Sequence, residues 1–128
     1  MLVYMYRFKN KSCKKQSKFT HNYPKLTSSK NYELAQKYLP KGGSSLIAFG
    51  VKGDGIKFIE NLKLFIHATN LGDVHSIITY PAGTTHRQLS DEELLAAGIS
   101  KDFMRASIGL ENIEDIIEDI DCAIRKAK

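Results

Sequence analysis

The sequence has no apolar run approaching the roughly 18–20 residues a membrane-spanning helix needs. It is nearly without cysteine: Cys13 and Cys122 stand at opposite ends of the chain. Neither has a second cysteine or a histidine at a metal-ligand spacing, so a zinc site is excluded. Both read as free thiols, Cys122 as a small buried hydrophobe on a helix. The opening "MLVYMYRFKNK" places its short apolar patch before its charge, the reverse of a secretory leader. A cytoplasmic protein is the expectation. Internal repeats are absent, and so is acid from residues 1–32, which hold eight of the 19 Lys and Arg residues. From Glu33 onward 11 basic residues face 14 acidic ones, so the net charge of +5 belongs to the N-terminal segment. Lysines without interleaved arginine or a nucleic-acid motif read as a solvated arm rather than a polyanion-binding surface. No glycine-rich phosphate loop is recognisable, since "KGGSS" leads into a strand. No nucleophile stands beside a base, and no carboxylate pair or metal-ligand set stands out.

What is present is a regular alternation of elements. The 128 residues suffice for one domain. In "SSKNYELAQKYLPKGG", Ser28 or Ser29 can cap a helix whose partial apolar face is Tyr32, Leu34 and Leu39, and Pro40 with Gly42 and Gly43 ends it. "SSLIAFGV", residues 44–51, is apolar on both faces and reads as a covered strand. "GDGIKFIENLKLF" steps through Ile56, Ile59, Leu62 and Phe65 as an amphipathic helix started by Asp54. After a short extended piece at 66–69, "VHSIITY" reads as a strand over 74–80 that stops at Pro81. "LSDEELLAAGI" carries a capping box, Ser90 with Glu93, and Gly98 closes it. "FMRASIGL" alternates Phe103, Arg105, Ser107 and Gly109 against Met104, Ala106, Ile108 and Leu110, giving one polar and one apolar face. Asn112 caps a last helix with Ile113, Ile116, Ile117, Ile120 and Ile124 as its buried stripe. The pattern predicts an α+β domain, a small sheet covered on one face by amphipathic helices.

Candidate functional residues gather in few places. Arg105 lies on the strand face opposite the apolar one, where a guanidinium suits a planar two-oxygen partner such as a carboxylate. The plainer reading is a surface arginine paired with a nearby acid. Asn70 and Gly72 form a loop before a strand, where side-chain amide and backbone can meet a ligand, or serve only as turn residues. Thr84, Thr85 and His86 follow Pro81 at a strand end. His67 and His75 have no acid or cysteine arranged to complete a metal site.

Three stretches, "NYELAQKYLPKG", "NLGDVHSIITYPAGTTH" and "MRASIGLENIEDIIEDI", together resemble in order and spacing the C-terminal domain of the cysteine/methionine-metabolism enzymes that use pyridoxal phosphate. The branch most resembled is O-acetylhomoserine sulfhydrylase, whose loop reads Asn-Leu-Gly-Asp as residues 70–73 do here, and the resemblance covers about residues 22–127. It implies the C-terminal domain of a fold-type I enzyme over residues 21–128, preceded by a basic arm or remnant at 1–20. It implies that Arg105, in the R-x-S-x-G-[IL]-E motif, grips the substrate's α-carboxylate and that Asn70 lies near the cofactor and the catalytic lysine. Gly72, Thr85 and His86 then support the site. Pyridoxal phosphate belongs to full-length relatives and is not expected on this chain alone, which lacks their Schiff-base lysine domain. The expected function is thus a truncated sulfhydrylase-like domain that binds amino-acid carboxylate without catalysing alone. The alternative is a non-catalytic assembly module that pairs with a cofactor-bearing chain or with itself. Neither membrane nor nucleic acid is an expected partner.

Overall fold

A computed structural model of the chain describes residues 21–127. The basic arm at 1–20 and Cys13 lie outside the described residues. Strands β1 (His21–Asn22), β2 (Leu46–Gly50), β3 (Ile66–His67), β4 (Ile77–Thr79) and β5 (Phe103–Ser107) form one sheet in the order β1-β2-β5-β4-β3. All neighbours pair antiparallel except β3 and β4, which are parallel. Helices α1 (Tyr32–Tyr38), α2 (Gly55–Glu60), α3 (Asp91–Ala96) and α4 (Ile113–Lys126) complete the α+β domain.

The period of two in β5 sorts its side chains. Met104 and Ala106 are fully buried and join Phe49, Phe58, Ile78, Ile116, Ile120 and Ala123 in one core between the sheet and helices α2 and α4. Phe58 and Phe49 meet edge to face, with ring centroids 6.3 Å apart. On the opposite side of the sheet, pairing sets Ala48, Arg105 and Thr79 in one row and Leu46, Ser107 and Ile77 in the next.

Helix signals that act within a turn behave as the sequence suggests. Asp54 Oδ1 accepts the N–H groups of Ile56 and Lys57 at 3.0 and 3.1 Å. The Ser90–Glu93 capping box closes in both directions, Gly98 ends α3 with a φ of +75°, and Asn112 accepts the Glu114 N–H. Ile116, Ile117 and Ile120 form the buried stripe of α4, with Ile113 and Ile124 half-buried at its edge.

Four expectations need correction. Neither Ser28 nor Ser29 caps α1: Asn31 holds the cap position without a side-chain bond, and Ser29 Oγ accepts the Asn31 N–H in the preceding turn. Its apolar face is largely open, with Leu34 at 57% exposure and only Ala35 buried. In α2 the buried face is Gly55 and Phe58, with Ile59 half-buried, while Ile56 is exposed. A helical face advances by threes and fours, not by threes alone. Cys122 is half-buried, and its Sγ accepts from Arg125 Nη2 at 2.9 Å. Finally, the strand expected at 74–80 is cut to Ile77–Thr79. Asp73 Oδ1 takes the His75 N–H and Glu111 Oε1 takes the Ser76 N–H, leaving neither for a ladder.

Candidate functional site

Those two diverted N–H groups belong to a larger arrangement. Residues 69–76 form a loop that runs to the start of β4 and lies against β5 and the extended chain beyond it. Residues 105, 107, 109, 110 and 111 of that chain each hold a point of the loop. Arg105 Nη2 donates to the Thr69 carbonyl at 2.8 Å. Ser107 Oγ accepts the Gly72 N–H at 3.1 Å. The N–H of Gly109 donates to Ser76 Oγ at 3.0 Å, and that of Leu110 to the Val74 carbonyl at 2.8 Å. Glu111 accepts the Ser76 N–H at 2.6 Å on one oxygen and the Ser76 hydroxyl at 2.8 Å on the other. Ser76 and Ser107 are buried and satisfied by these bonds.

The electrostatics follow from the bonds. Burial alone would push the Glu111 carboxyl up. Hydrogen bonds from the Ser76 N–H, from its own backbone N–H and from the Ser76 hydroxyl outweigh that and hold it below the usual glutamate range. Asp73 is also held low, first by the His75 N–H and then by the His75 ring, whose Nδ1 lies 3.2 Å from its carboxylate.

Arg105 is neither locked into the core nor neutralised. Among the described residues no carboxylate pairs with it, and its Nε is buried without a hydrogen-bond partner. A guanidinium offers five N–H donors in a planar fork, and a buried donor left unpaired costs about 1–3 kcal/mol. One edge of Arg105 is therefore held by a backbone carbonyl while its Nε lacks an acceptor.

The other sequence-selected residues divide. Asn70 is exposed on the same loop, one residue past the carbonyl that holds Arg105, and Gly72 takes a φ of +76° there. Thr85 and His86 do not join them: the Thr85 hydroxyl meets His86 Nδ1 at 2.8 Å within its own turn, and the His86 N–H donates to the Pro81 carbonyl. That turn is fastened by Thr84, whose hydroxyl donates to the Tyr80 carbonyl at 2.7 Å. Ser76, Ser107 and Glu111 carry the loop's attachment, and sequence reasoning passed over them. The signal lay in the motif itself, whose polar and glycine positions recur at every second residue from 105 to 111.

A guanidinium that no carboxylate of the described residues pairs with suits an oxyanion such as a carboxylate. No lysine ammonium hydrogen-bonds to residues 69–76 or 103–111 among the described residues, and the charged groups built into the arrangement besides Arg105 are the acids Asp73 and Glu111.

A sequence profile described as Cys/Met metabolism PLP-dependent enzyme matches residues 13–125. An O-acetyl-L-homoserine sulfhydrylase of Leptospira meyeri is 43% identical over 109 residues, which are 81% of this chain and 24% of that protein. A homocysteine synthase of Schizosaccharomyces pombe is 41% identical over 109 residues, covering 83% and 25%. Among solved structures, a Campylobacter jejuni protein assigned as an O-acetylhomoserine (thiol)-lyase, itself bearing a pyridoxyl-lysine monophosphate, superposes with a TM-score of 0.80 at 39% identity. That match takes in 96% of this chain and 30% of the other. The chain spans about a quarter of the length of the curated relatives it matches.

Proposed function

Because the chain belongs to the Cys/Met metabolism PLP-dependent enzyme family, we propose that it forms the substrate-carboxylate side of an O-acetylhomoserine sulfhydrylase-like active site and does not turn over alone. Arg105 binds the α-carboxylate of an amino-acid substrate, with Asn70 on the adjoining loop facing the same ligand and Gly72 holding the loop's turn. Thr85 and His86 support this edge of the domain without touching the ligand. The observation that carries the reading is a half-buried guanidinium that no carboxylate among the described residues pairs with and whose Nη2 is already fixed on Thr69. Pyridoxal phosphate, in this reading, is bound by the part of a family-length chain that these residues do not represent, and it supplies the electron sink for the chemistry. The residues described here bind and orient the substrate. The setting is that of cytoplasmic sulfur amino-acid metabolism.

The test is an NMR titration of the protein with L-homoserine, set against its amide, in which a neutral group replaces the carboxylate. One charge-assisted contact is worth about 1.5–3 kcal/mol, which corresponds to a Kd on the order of 10–100 mM. Homoserine is expected to shift the Arg105 Nε–H and Gly72 amide resonances saturably in that range, and the amide to leave them in place. R105A abolishes the Gly72 response. Equal shifts with both ligands, or an unchanged Gly72 response in R105A, defeats the assignment.

A second reading, an assembly module, draws on Leu71, Val74 and Leu110, which stand 50%, 59% and 84% exposed beside the same loop. Apolar residues clustered on an open surface mark interfaces. In this reading the cofactor-bearing chain covers them. L110D is expected to weaken association measured by sedimentation while homoserine binding persists; unchanged sedimentation argues against it.

A further inference from the structure

We propose that Glu111 is a positioning residue: through Ser76 it fixes the loop from Thr69 to Ser76 against β5 and so sets the guanidinium of Arg105 for its ligand. This rests on the carboxylate-binding role of Arg105 argued above. Glu111 does not touch the ligand.

The argument begins with proton counting at Ser76. Its hydroxyl has one proton and accepts the Gly109 N–H, so that proton is free to go to Glu111, 2.8 Å away. The backbone N–H of the same residue points to the other Glu111 oxygen at 2.6 Å. The two donors go to different oxygens, and an ionised carboxylate accepts at both. Ser76 is fully buried, so neither donor can turn to water.

From Ser76 the constraint passes along a segment with little freedom. Asp73 Oδ1 closes a turn onto the His75 N–H, and Val74 is tied to Leu110. Gly72 is held by Ser107, and three residues before it the Thr69 carbonyl receives Arg105 Nη2. Displacing Ser76 therefore displaces the carbonyl that orients the arginine. Glu111 and Arg105 sit six residues apart on one chain, yet they are coupled through a loop more than thirty residues upstream. Side chains that lock the supporting groups of a binding residue govern how well it is organised before the ligand arrives.

The experiment compares the wild-type protein with E111Q, S76A and the double variant, again with L-homoserine as the probe. Glutamine keeps the shape of glutamate but offers one acceptor atom, so one of the two Ser76 donors loses its partner. E111Q is expected to shift the Gly72 amide and Arg105 Nε–H resonances and to weaken homoserine binding roughly three- to tenfold, short of the about hundredfold cost of a 1 Å misplacement at a reacting centre. S76A added to E111Q costs little more, because both act on one linkage. An S90A control, destabilised at the distant α3 cap, keeps wild-type affinity, which separates positioning from general loss of stability. The proposal is overturned if E111Q binds homoserine as the wild type does, or if it leaves the Gly72 and Arg105 resonances unmoved. If the wild-type protein shows no response to homoserine, the carboxylate role of Arg105 falls. The positioning role is then decided by whether E111Q moves the Arg105 Nε–H and Gly72 resonances.

Discussion

Replacing Gly109 by alanine tests the packing of the loop more severely than any charge change. A methyl group built there falls 2.5 Å from Glu111 Oε2 and 2.5 Å from the His75 carbonyl carbon, and it also meets the Val74 carbonyl oxygen. The backbone at Gly109 is not among the positive-φ positions, so alanine adopts it freely and the whole cost is steric. Overpacking a filled site costs about 1–3 kcal/mol. Two of the three neighbours are backbone and cannot rotate away, which places G109A in the upper half of that range. Moving Val74 also stretches its bond from the Leu110 N–H, worth about 1 kcal/mol net. The expected loss is about 2–4 kcal/mol. At roughly 3–5 °C per kcal/mol for a chain of 128 residues, thermal melts followed by circular dichroism should fall by about 6–20 °C. G72A is the comparison. Gly72 has a φ of +76° and no atom within 4 Å of an added Cβ, so only the left-handed backbone is penalised, by about 1–2 kcal/mol. G109A melting within about 2 °C of wild type, or above G72A, would refute the packing argument.

Other expectations follow from single contacts. Phe58 is fully buried against Phe49, so F58A should lose about 3–5 kcal/mol in urea unfolding; a loss under about 1 kcal/mol means the α2 face does not anchor the core. S90A removes both the acceptor for the Glu93 N–H and half of the capping box, and should cost about 1 kcal/mol with faster amide exchange in α3. Unchanged exchange at Glu93 contradicts the cap. The depressed pKa of Glu111 makes the folded protein bind that proton less readily than the unfolded chain. Its contribution is full above the unfolded glutamate pKa and is lost as pH falls through the lower folded value. E111Q should therefore flatten the acid limb of the stability profile, and a limb identical to wild type excludes the coupling.

What could be read from the sequence was what acts over two to four residues. Asp54, Ser90 with Glu93, and Asn112 each satisfy N–H groups within one turn, so residue type and spacing alone identify them. The orientation of Arg105 was legible for the same reason, since alternation in β5 decides which side chains face the helices. Local reading failed at the Ser28 or Ser29 cap and at Ile56, and two further failures are non-local. The strand over 74–80 has the right alternation, but the acceptor that takes the Ser76 N–H lies 35 residues away. Nothing near Ser76 in sequence announces it. The parallel pairing of β3 with β4 is equally invisible, because strand direction depends on how the intervening chain returns. Thr85 and His86 share a hydrogen bond that closes within their own turn.

The two faces of β5 also explain how a recognition site can sit on a stability-critical strand. Met104 and Ala106 belong to the core under α2 and α4, while Arg105 and Ser107 face the loop on the other side. Ser107 shows what this requires: a buried hydroxyl is costly unless bonded, and here it is the acceptor that holds Gly72. The polar groups on that face are therefore stabilising only while the loop is in place, and the loop is in place only while they hold it. Such mutual dependence makes attachment all-or-none over residues 69–76.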